Sequence, residues 1–198
     1  MRRVMIVGAG GIGSYLVQFL KRMNQAHRNN TPNTHLYDIT VFDDDVVDRK
    51  NLGYQAFDEL DIGEKKVECI QGINAQPFNV LVEKQLKGYD LVICCADNLA
   101  VRRLLYKQGF GNDTKLKWLD LRSTGRNAAL VSYKINPDLM NTLLAGEEGS
   151  FSCQAQSWDG SAEDINCMNM VIAGMGVQWI QRWFNDNDDV IDMKMVNL

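Results

Sequence analysis

Apolar runs alternate with amphipathic stretches along this chain, and that alternation predicts its secondary structure. Residues 91–95 are continuously apolar, as expected for a strand that is covered on both faces. The runs that predict strands cover residues 2–8, 36–42, 80–82, 89–95, 116–121 and 128–135. The stretches with helical spacing of apolar residues cover residues 11–23, 62–74, 98–108 and 164–184.

Strands that alternate with helices are typical of an α/β fold with a largely parallel sheet. We therefore expect a Rossmann-like, doubly wound, mostly parallel sheet in a single domain over residues 1–198. The link between the two strands after residue 115 contains Gly125 and is short enough to make that pair antiparallel. Residues 136–163 are rich in Gly, Ser, Asn and Asp, which predicts an irregular crossover segment, and residues 185–198 are expected to form a tail.

A glycine motif, G-x-G-x-x-G, follows the first apolar run. Gly8 is expected to allow a tight turn, Gly10 to admit a phosphate close to the backbone, and Gly13 to let a helix pack against the strand. The N–H groups at the start of that helix favour an anion. The motif therefore predicts a nucleotide site, with a purely structural glycine turn as the alternative.

Composition narrows the class of protein. The net charge of −4 argues against a nucleic-acid coat. The five cysteines follow no disulfide or zinc spacing, which favours reduced thiols in the cytoplasm. The first apolar run belongs to the glycine motif rather than to a signal peptide, and no apolar stretch approaches membrane-spanning length.

Polar residues follow the strands where ligands bind in open α/β sheets. Asp43 follows the second strand and is expected to hold a ribose, with a phosphate-proximal or metal-linked role for Asp45; a solvated acidic turn is the alternative. Asp97 follows the strand at 89–95 and suits Mg²⁺ beside a phosphate, or else it caps the next helix. Lys66 could supply a positive charge to phosphates, or it could be a solvated helix residue.

Five segments occur together in one order: GAGGIG, VFDDDVVDRKNL, DIGEKKVE, INAQ and CADNLAVRRLL. In this combination the chain resembles the ThiF/MoeB and ubiquitin-activating superfamily over roughly residues 4 to 135, with a looser match at 164–184. Members adenylate the C-terminal carboxylate of a small ubiquitin-like or sulfur-carrier protein. The resemblance implies ATP and Mg²⁺ as cofactors.

The resemblance also implies roles for individual residues. Gly8, Gly10 and Gly13 would cradle the nucleotide, and Asp43 would hold its ribose. Asn51 and Lys66 would contact phosphates, Asp97 would coordinate Mg²⁺ near the α-phosphate, and Arg102 matches an arginine that members keep on that helix.

Two further features of the resemblance concern charge and thiol chemistry. Members usually have N-L-x-R-Q after the acidic residues, whereas Tyr54 stands here in the place of the arginine; Arg49 or Lys50 could compensate. Members with a thioester or persulfide step carry a cysteine after the sheet. Cys153 is the candidate catalytic thiol, and Cys167 is the second choice.

Two rival functions stay open at the level of sequence. The glycine motif alone would also suit an NAD- or FAD-linked enzyme, and Tyr54 would suit a nucleotide- or partner-binding module with weak catalysis. A homodimer is expected because the predicted helix at 164–184 carries a large apolar stripe, and such residues are enriched in interfaces. The stripe consists of Ile172, Met175, Trp179 and Trp183.

Overall fold

The computed structural model describes residues 1–32, 36–110, 116–144, 167–185 and 190–197. Its strands are β1 (Arg2–Val7), β2 (Tyr37–Phe42), β3 (Asn74–Gln76), β4 (Leu91–Cys94), β5 (Lys117–Thr124), β6 (Asn127–Ser132) and β7 (Met193–Asn197). Its α-helices are α1 (Gly11–Asn30), α2 (Lys66–Cys69), α3 (Leu99–Phe110), α4 (Pro137–Leu144) and α5 (Met168–Phe184). Short 3₁₀ helices cover Arg49–Gly53, Glu59–Asp61 and Glu83–Leu86.

The described strands form one sheet in the order β3-β2-β1-β4-β5-β6-β7. Strands β3, β2, β1, β4 and β5 are parallel to one another, and β6 is antiparallel to both β5 and β7. After β3, at one edge of the sheet, the chain returns to the middle of the sheet. There β4 pairs with β1, although β2 and β3 come between them in sequence. The predicted α/β fold with a mostly parallel sheet is confirmed.

Helices cover both faces of this sheet. Successive residues of a strand point to opposite sides, so a single strand contributes side chains to two cores. On one face, Val4 and Ile6 of β1 share a core with α1 and α5. On the other face, Met5 and Val7 share a core with α3 and α4. The sheet is therefore doubly wound.

Two sequence predictions are wrong between β2 and β4. The helix predicted at 62–74 is only the single turn of α2, because Gly72 adopts a φ of +75° and the chain continues into β3. No strand forms at 80–82. There the side chain of Gln85 accepts hydrogen bonds from the N–H groups of Leu81 (2.8 Å) and Val82 (3.0 Å), so these amides are not available to the sheet.

The segment expected to be irregular begins with a helix, α4, and the expected tail contains β7, which pairs with β6. The rest of the crossover segment, 145–163, lies outside the described residues. α5 begins at Met168, later than the predicted 164. No helix in the described part of the chain has the length and hydrophobicity to cross a bilayer.

The apolar stripe on α5 belongs to the core. Ile172, Trp179 and Trp183 are buried against the sheet and α1, and Met175 packs against the same core. The stripe therefore does not supply the exposed surface from which the homodimer was expected.

Candidate functional site

A cleft of about 440 Å³ opens at the carboxyl ends of β1, β2 and β4, where the strand order reverses. Open α/β sheets bind ligands at this position. The lining residues come from the glycine motif, the acidic turn after β2, the 49–55 segment, α2 and the turn after β4. They are Val7, Gly8, Gly10, Gly11, Phe42, Asp43, Asp44, Asp45, Lys50, Asn51, Tyr54, Gln55, Lys66, Asn79, Cys95, Ala96, Asp97, Asn98 and Val101.

The glycine turn has the shape that the motif predicts. Gly8 adopts a φ of +98°, a conformation that favours glycine, and a Cβ there would lie 2.9 Å from the backbone N of Ala96. A Cβ on Gly13 would lie 1.8 Å from the carbonyl oxygen of Gly8. Gly13 therefore allows α1 to start directly against the turn.

The N-terminus of α1 faces the cleft without a side-chain cap. The N-cap residue is Gly10, which has no side chain to accept from the first N–H groups of the helix. The first turn contains no acidic residue. A Cβ on Gly10 would meet nothing within 4 Å, so this backbone borders open space. The N–H groups at a helix start need partners, and an anion such as phosphate suits them.

Asp43 connects β2 to the glycine turn. Its carboxylate accepts hydrogen bonds from the N–H of Ala9 (2.6 Å) and of Asp45 (2.9 Å). Burial raises the pKa of Asp43 above its usual value, although the two N–H groups and Lys66 act in the opposite direction. Asp43 lines the cleft.

The acidic turn after β2 brings three carboxylates together. The carboxylate oxygens of Asp43, Asp44 and Asp45 lie within 4.8 Å of one another, but each carboxylate already accepts a hydrogen bond. Asn79 donates to Asp44 (2.6 Å) and Lys66 donates to Asp45 (2.8 Å). These hydrogen bonds hold the carboxylates of Asp44 and Asp45 against Asn79 and Lys66.

Lys66 is buried at the start of α2, contrary to the alternative of a solvated helix residue. Its ammonium is paired with the exposed carboxylate of Asp45. The backbones of the two residues are also joined, since the N–H of Lys66 donates to the carbonyl of Asp45 (3.1 Å). Lys66 therefore presents a fixed positive charge at the edge of the cleft.

Asn51 lines the cleft, but much of its side chain is used locally. Its Oδ1 accepts from the N–H of Asp48 (2.8 Å), and its Nδ2 donates to the hydroxyl of Tyr54 (3.1 Å). Of the two residues that could compensate for Tyr54, only Lys50 lines the cleft. Arg49 lies 3.7 Å from Glu59 on the surface.

Asp97 lines the cleft and does not cap α3. The cap is Asn98, whose Oδ1 accepts from the N–H of Ala100 (2.8 Å). Because the neighbouring asparagine has this role, the carboxylate of Asp97 is available on the cleft side. The capping alternative for Asp97 is therefore wrong.

Arg102 does not line the cleft. Its Nε donates to the Oδ1 of Asp120 (3.1 Å), which is fully buried on β5. The other oxygen of Asp120 accepts from the hydroxyl of Tyr106 (2.6 Å) and from the Nε of Arg122 (2.8 Å). Arg102 thus belongs to an ionic cluster of Arg102, Tyr106, Asp120 and Arg122, none of which lines the cleft.

The two candidate thiols are in different situations. Cys153 lies outside the described residues. Cys167 is exposed at the N-cap of α5 and is a free thiol. Two residues later, Asn169 packs against Gly11, where a Cβ would come within 2.4 Å of its amide nitrogen. The start of α5 therefore lies close to the start of α1.

A sequence profile of the ThiF family matches residues 1–197. The chain belongs to the ThiF family. This confirms the resemblance that the five segments indicated.

Curated relatives of this ThiF family member have longer chains. The SAMP-activating enzyme E1 of Haloferax volcanii is 32% identical over 117 residues, which are 52% of this chain and 39% of that protein. The molybdopterin-synthase adenylyltransferase of Escherichia coli is 30% identical over 117 residues, which are 52% of this chain and 43% of that protein. The chain thus spans less than half the length of these relatives.

Solved structures with the same fold include E. coli MccB with succinimide, at a TM-score of 0.67 and 15% identity over the whole of this chain and 61% of MccB. E. coli MccB with ATP gives a TM-score of 0.64 at 14% identity, again over the whole of this chain and 63% of that one. At this identity the likeness shows the fold alone.

Sequence reasoning missed two features of this ThiF family member. Asp120 and Arg122 sit two apart on β5 and so point to the same face, a spacing that could have signalled an ion pair within the predicted strand. The cleft residue Gln55 carries no signal by itself, because its burial depends on the packing of the 49–55 segment against α1.

Proposed function

We propose that this chain binds ATP with Mg²⁺ and adenylates the C-terminal carboxylate of a small ubiquitin-like or sulfur-carrier protein. The main support is that three charged side chains and the start of a helix meet in one cleft of a ThiF family member. Asp43, Lys66 and Asp97 surround the uncapped N-terminus of α1 in a single cleft. The names of the relatives from H. volcanii and E. coli, an activating enzyme and an adenylyltransferase, agree with this chemistry.

In the proposed reaction, a carboxylate oxygen of the partner attacks the α-phosphorus of ATP. The bond from that phosphorus to the bridging oxygen breaks, pyrophosphate leaves with the electron pair, and an acyl-adenylate forms. The N–H groups at the start of α1 bind phosphate oxygens, and Asp43 accepts from ribose hydroxyls. The buried ammonium of Lys66 stabilises negative charge that develops around phosphorus.

Asp97 is the residue proposed to hold Mg²⁺. The described residues give its carboxylate no hydrogen-bond partner, and carboxylate oxygens together with phosphate oxygens suit this ion. When bound, Mg²⁺ neutralises phosphate charge.

Thiol chemistry after adenylation would involve Cys153 or Cys167.

The experiment that tests the function compares nucleotides. ATP with Mg²⁺ should raise the melting temperature of the protein, whereas NAD should have much less effect, because only a ligand that binds the folded state stabilises it. Equal or greater stabilisation by NAD would contradict an ATP site.

Asp97→Asn should abolish partner-dependent pyrophosphate exchange and leave the fold intact, since Asn98 still caps α3.

Tyr54 favours a second candidate, a nucleotide- or partner-binding module with little catalysis. A tyrosine cannot supply the charge of the arginine that members usually carry there. The same assays separate the two functions. Stabilisation by ATP without pyrophosphate exchange in the presence of a partner protein would favour the module.

Compartment and oligomeric state are proposals as well. The composition supports a cytoplasmic location, because the five cysteines follow no disulfide spacing. The homodimer stays a prediction that has lost the α5 stripe as its support. Sedimentation at micromolar concentration tests it, and a monomer would contradict it.

A further inference from the structure

Asn79 is an exposed residue of the cleft lining whose amide group is oriented by a carboxylate. Its Nδ2 donates to the Oδ2 of Asp44 (2.6 Å) in the turn after β2. An ionised carboxylate only accepts hydrogen bonds, so the amide atom that faces it must be the nitrogen. The Oδ1 of Asn79 is therefore left on the other side of the amide, and it accepts no hydrogen bond from the described residues.

The turn that carries Asn79 is fixed by a second carboxamide. The Nε2 of Gln85 donates to the carbonyl of Asn79 (3.0 Å). The Oε1 of Gln85 accepts from the N–H groups of Leu81 (2.8 Å) and Val82 (3.0 Å). The backbone and the side chain of Asn79 are both anchored, so its exposed amide oxygen has a defined place at the cleft.

The strand order places Asn79 beyond the ribose. In the proposed function, phosphates bind at the start of α1, directly after β1, and Asp43 at the end of β2 accepts from the ribose hydroxyls. The next strand in this direction is β3, and Asn79 is the described lining residue that follows it. A nucleotide that lies along these strand ends brings its base to Asn79.

An amide oxygen distinguishes between purine bases. Adenine carries an amino group at ring position 6, which donates hydrogen bonds, whereas guanine and hypoxanthine carry an oxygen there, which accepts them. The Oδ1 of Asn79 can accept from the amino group, but opposite an oxygen it would have no proton to share. The carboxylate of Asp44 is an acceptor as well, so it offers that oxygen no donor either.

We propose that Asn79 selects the base of the nucleotide, and that its Oδ1 accepts a hydrogen bond from the 6-amino group of adenine. Asp44 is then a positioning residue, because its carboxylate keeps the amide from turning over. This inference rests on the proposed adenylation, to which it adds the residue that favours adenine over other purines.

The first test measures the binding of three triphosphates by calorimetry in the presence of Mg²⁺. The probes are ATP, purine riboside 5′-triphosphate, which has a hydrogen in place of the amino group, and inosine 5′-triphosphate, which has an oxygen there. The wild-type protein should bind ATP about tenfold more tightly than the purine riboside triphosphate, because one hydrogen bond is lost. Asn79→Leu should bind these two equally, and its affinity for the purine riboside triphosphate should match that of the wild type.

Asp44→Ala tests the orientation of the amide. Without the carboxylate, the amide can turn over and donate from its nitrogen to the oxygen of inosine triphosphate. The preference for ATP over inosine triphosphate should therefore fall about tenfold relative to the wild type. The probes carry the same triphosphate, so the charge removed from the cleft affects them alike. An unchanged preference in Asp44→Ala would overturn the positioning role.

Asn74→Leu is the matched control. Asn74 is also exposed, and its Nδ2 also donates to a carboxylate, that of Asp38 (2.9 Å), but it does not line the cleft. This variant should keep the wild-type preference for ATP over both other probes. A loss of preference as large as that of Asn79→Leu would mean that the packing of this region sets the choice of base, and would overturn the role of Asn79.

The outcomes distinguish this inference from the proposed function. If the wild-type protein binds none of the three triphosphates with Mg²⁺, both the adenylation and the role of Asn79 are overturned. If it binds ATP and the purine riboside triphosphate equally, or if Asn79→Leu keeps the wild-type preference, only the role of Asn79 is overturned.

Discussion

The carboxylate of Asp120 holds Arg102, Arg122 and the hydroxyl of Tyr106 in the interior between β5 and α3. A single buried anion thus serves two guanidinium groups. Burial by itself disfavours a charged arginine, and the carboxylate more than compensates, so the pKa of Arg102 lies above its usual value. Arg122 also donates to the carbonyl of Leu143 (3.3 Å), which ties the cluster to the end of α4.

We predict that Asp120→Asn lowers the free energy of unfolding by about 3–5 kcal/mol, because it leaves two guanidinium groups without their anion. Arg102→Met should cost less, since Asp120 keeps Arg122 and Tyr106 as partners. Urea denaturation measures both. Because Arg102 does not line the cleft, ATP with Mg²⁺ should stabilise Arg102→Met as much as the wild type. A folded Arg102→Met protein that no longer responds to ATP would instead give this arginine a direct role in the site.

Among the elements, β1 and α1 are joined by a turn with two glycines in opposite situations. A side chain would have no room at one of them and ample room at the other. The missing Cβ of Gly13 lets α1 start against the carbonyl of Gly8, whereas the missing Cβ of Gly10 faces the open cleft. The two glycines therefore have different roles, packing in one case and ligand access in the other.

Alanine at each position separates these roles. Gly13→Ala places a methyl group 1.8 Å from a backbone oxygen, so we expect a loss of several kcal/mol in stability or a protein that fails to fold. Gly10→Ala meets no atom within 4 Å, and its melting temperature should stay within a few degrees of the wild type. Its stabilisation by ATP should nevertheless fall, because the methyl group occupies the space of the phosphates. Thermal unfolding with and without ATP checks both variants, and an unaffected response in Gly10→Ala would contradict the phosphate site.

The strands β1, β2, β4, β5 and β6 and the long helices could be predicted from the sequence because their apolar periodicity is local, whereas β3 and β7 could not. The region between β2 and β4 could not, since there the side chain of Gln85 takes the amides of Leu81 and Val82. Asp43 and Asp97 could be placed in the cleft because both follow parallel strands, whose carboxyl ends share one edge. The burial of Arg102 could not be predicted, because its anion, Asp120, comes from another strand and its pairing is set by tertiary packing.

At the scale of the whole molecule, acidic groups outnumber basic groups both in the protein and in the lining of the cleft. The chain has a net charge of −4. The described lining of the cleft contains the carboxylates of Asp43, Asp44, Asp45 and Asp97 but only two ammonium groups, those of Lys50 and Lys66. Lys66 is already paired with Asp45. A bare polyphosphate would therefore be repelled by this surface.

We predict that ATP stabilises the protein only together with a divalent cation. ATP in EDTA should shift the melting temperature little, and added Mg²⁺ should restore the shift, because the cation neutralises charge between phosphates and carboxylates. Sodium chloride at matched ionic strength is the control for screening and should not replace Mg²⁺. An equal shift with ATP in EDTA would show that the acidic lining does not govern binding.

The pairing of β1 with β4 has a consequence for how the chain folds as it is synthesised. Val4 pairs with Leu91, so the inner edge of β1 has no partner until a long intervening segment has left the ribosome. The outer edge of β1 meets β2 much earlier, since Val4 also pairs with Ile39. A nascent chain that ends before β4 therefore leaves one edge of β1 unpaired along its apolar residues 4–7. Aggregation during synthesis, rather than instability of the finished fold, is the hazard that this strand order creates.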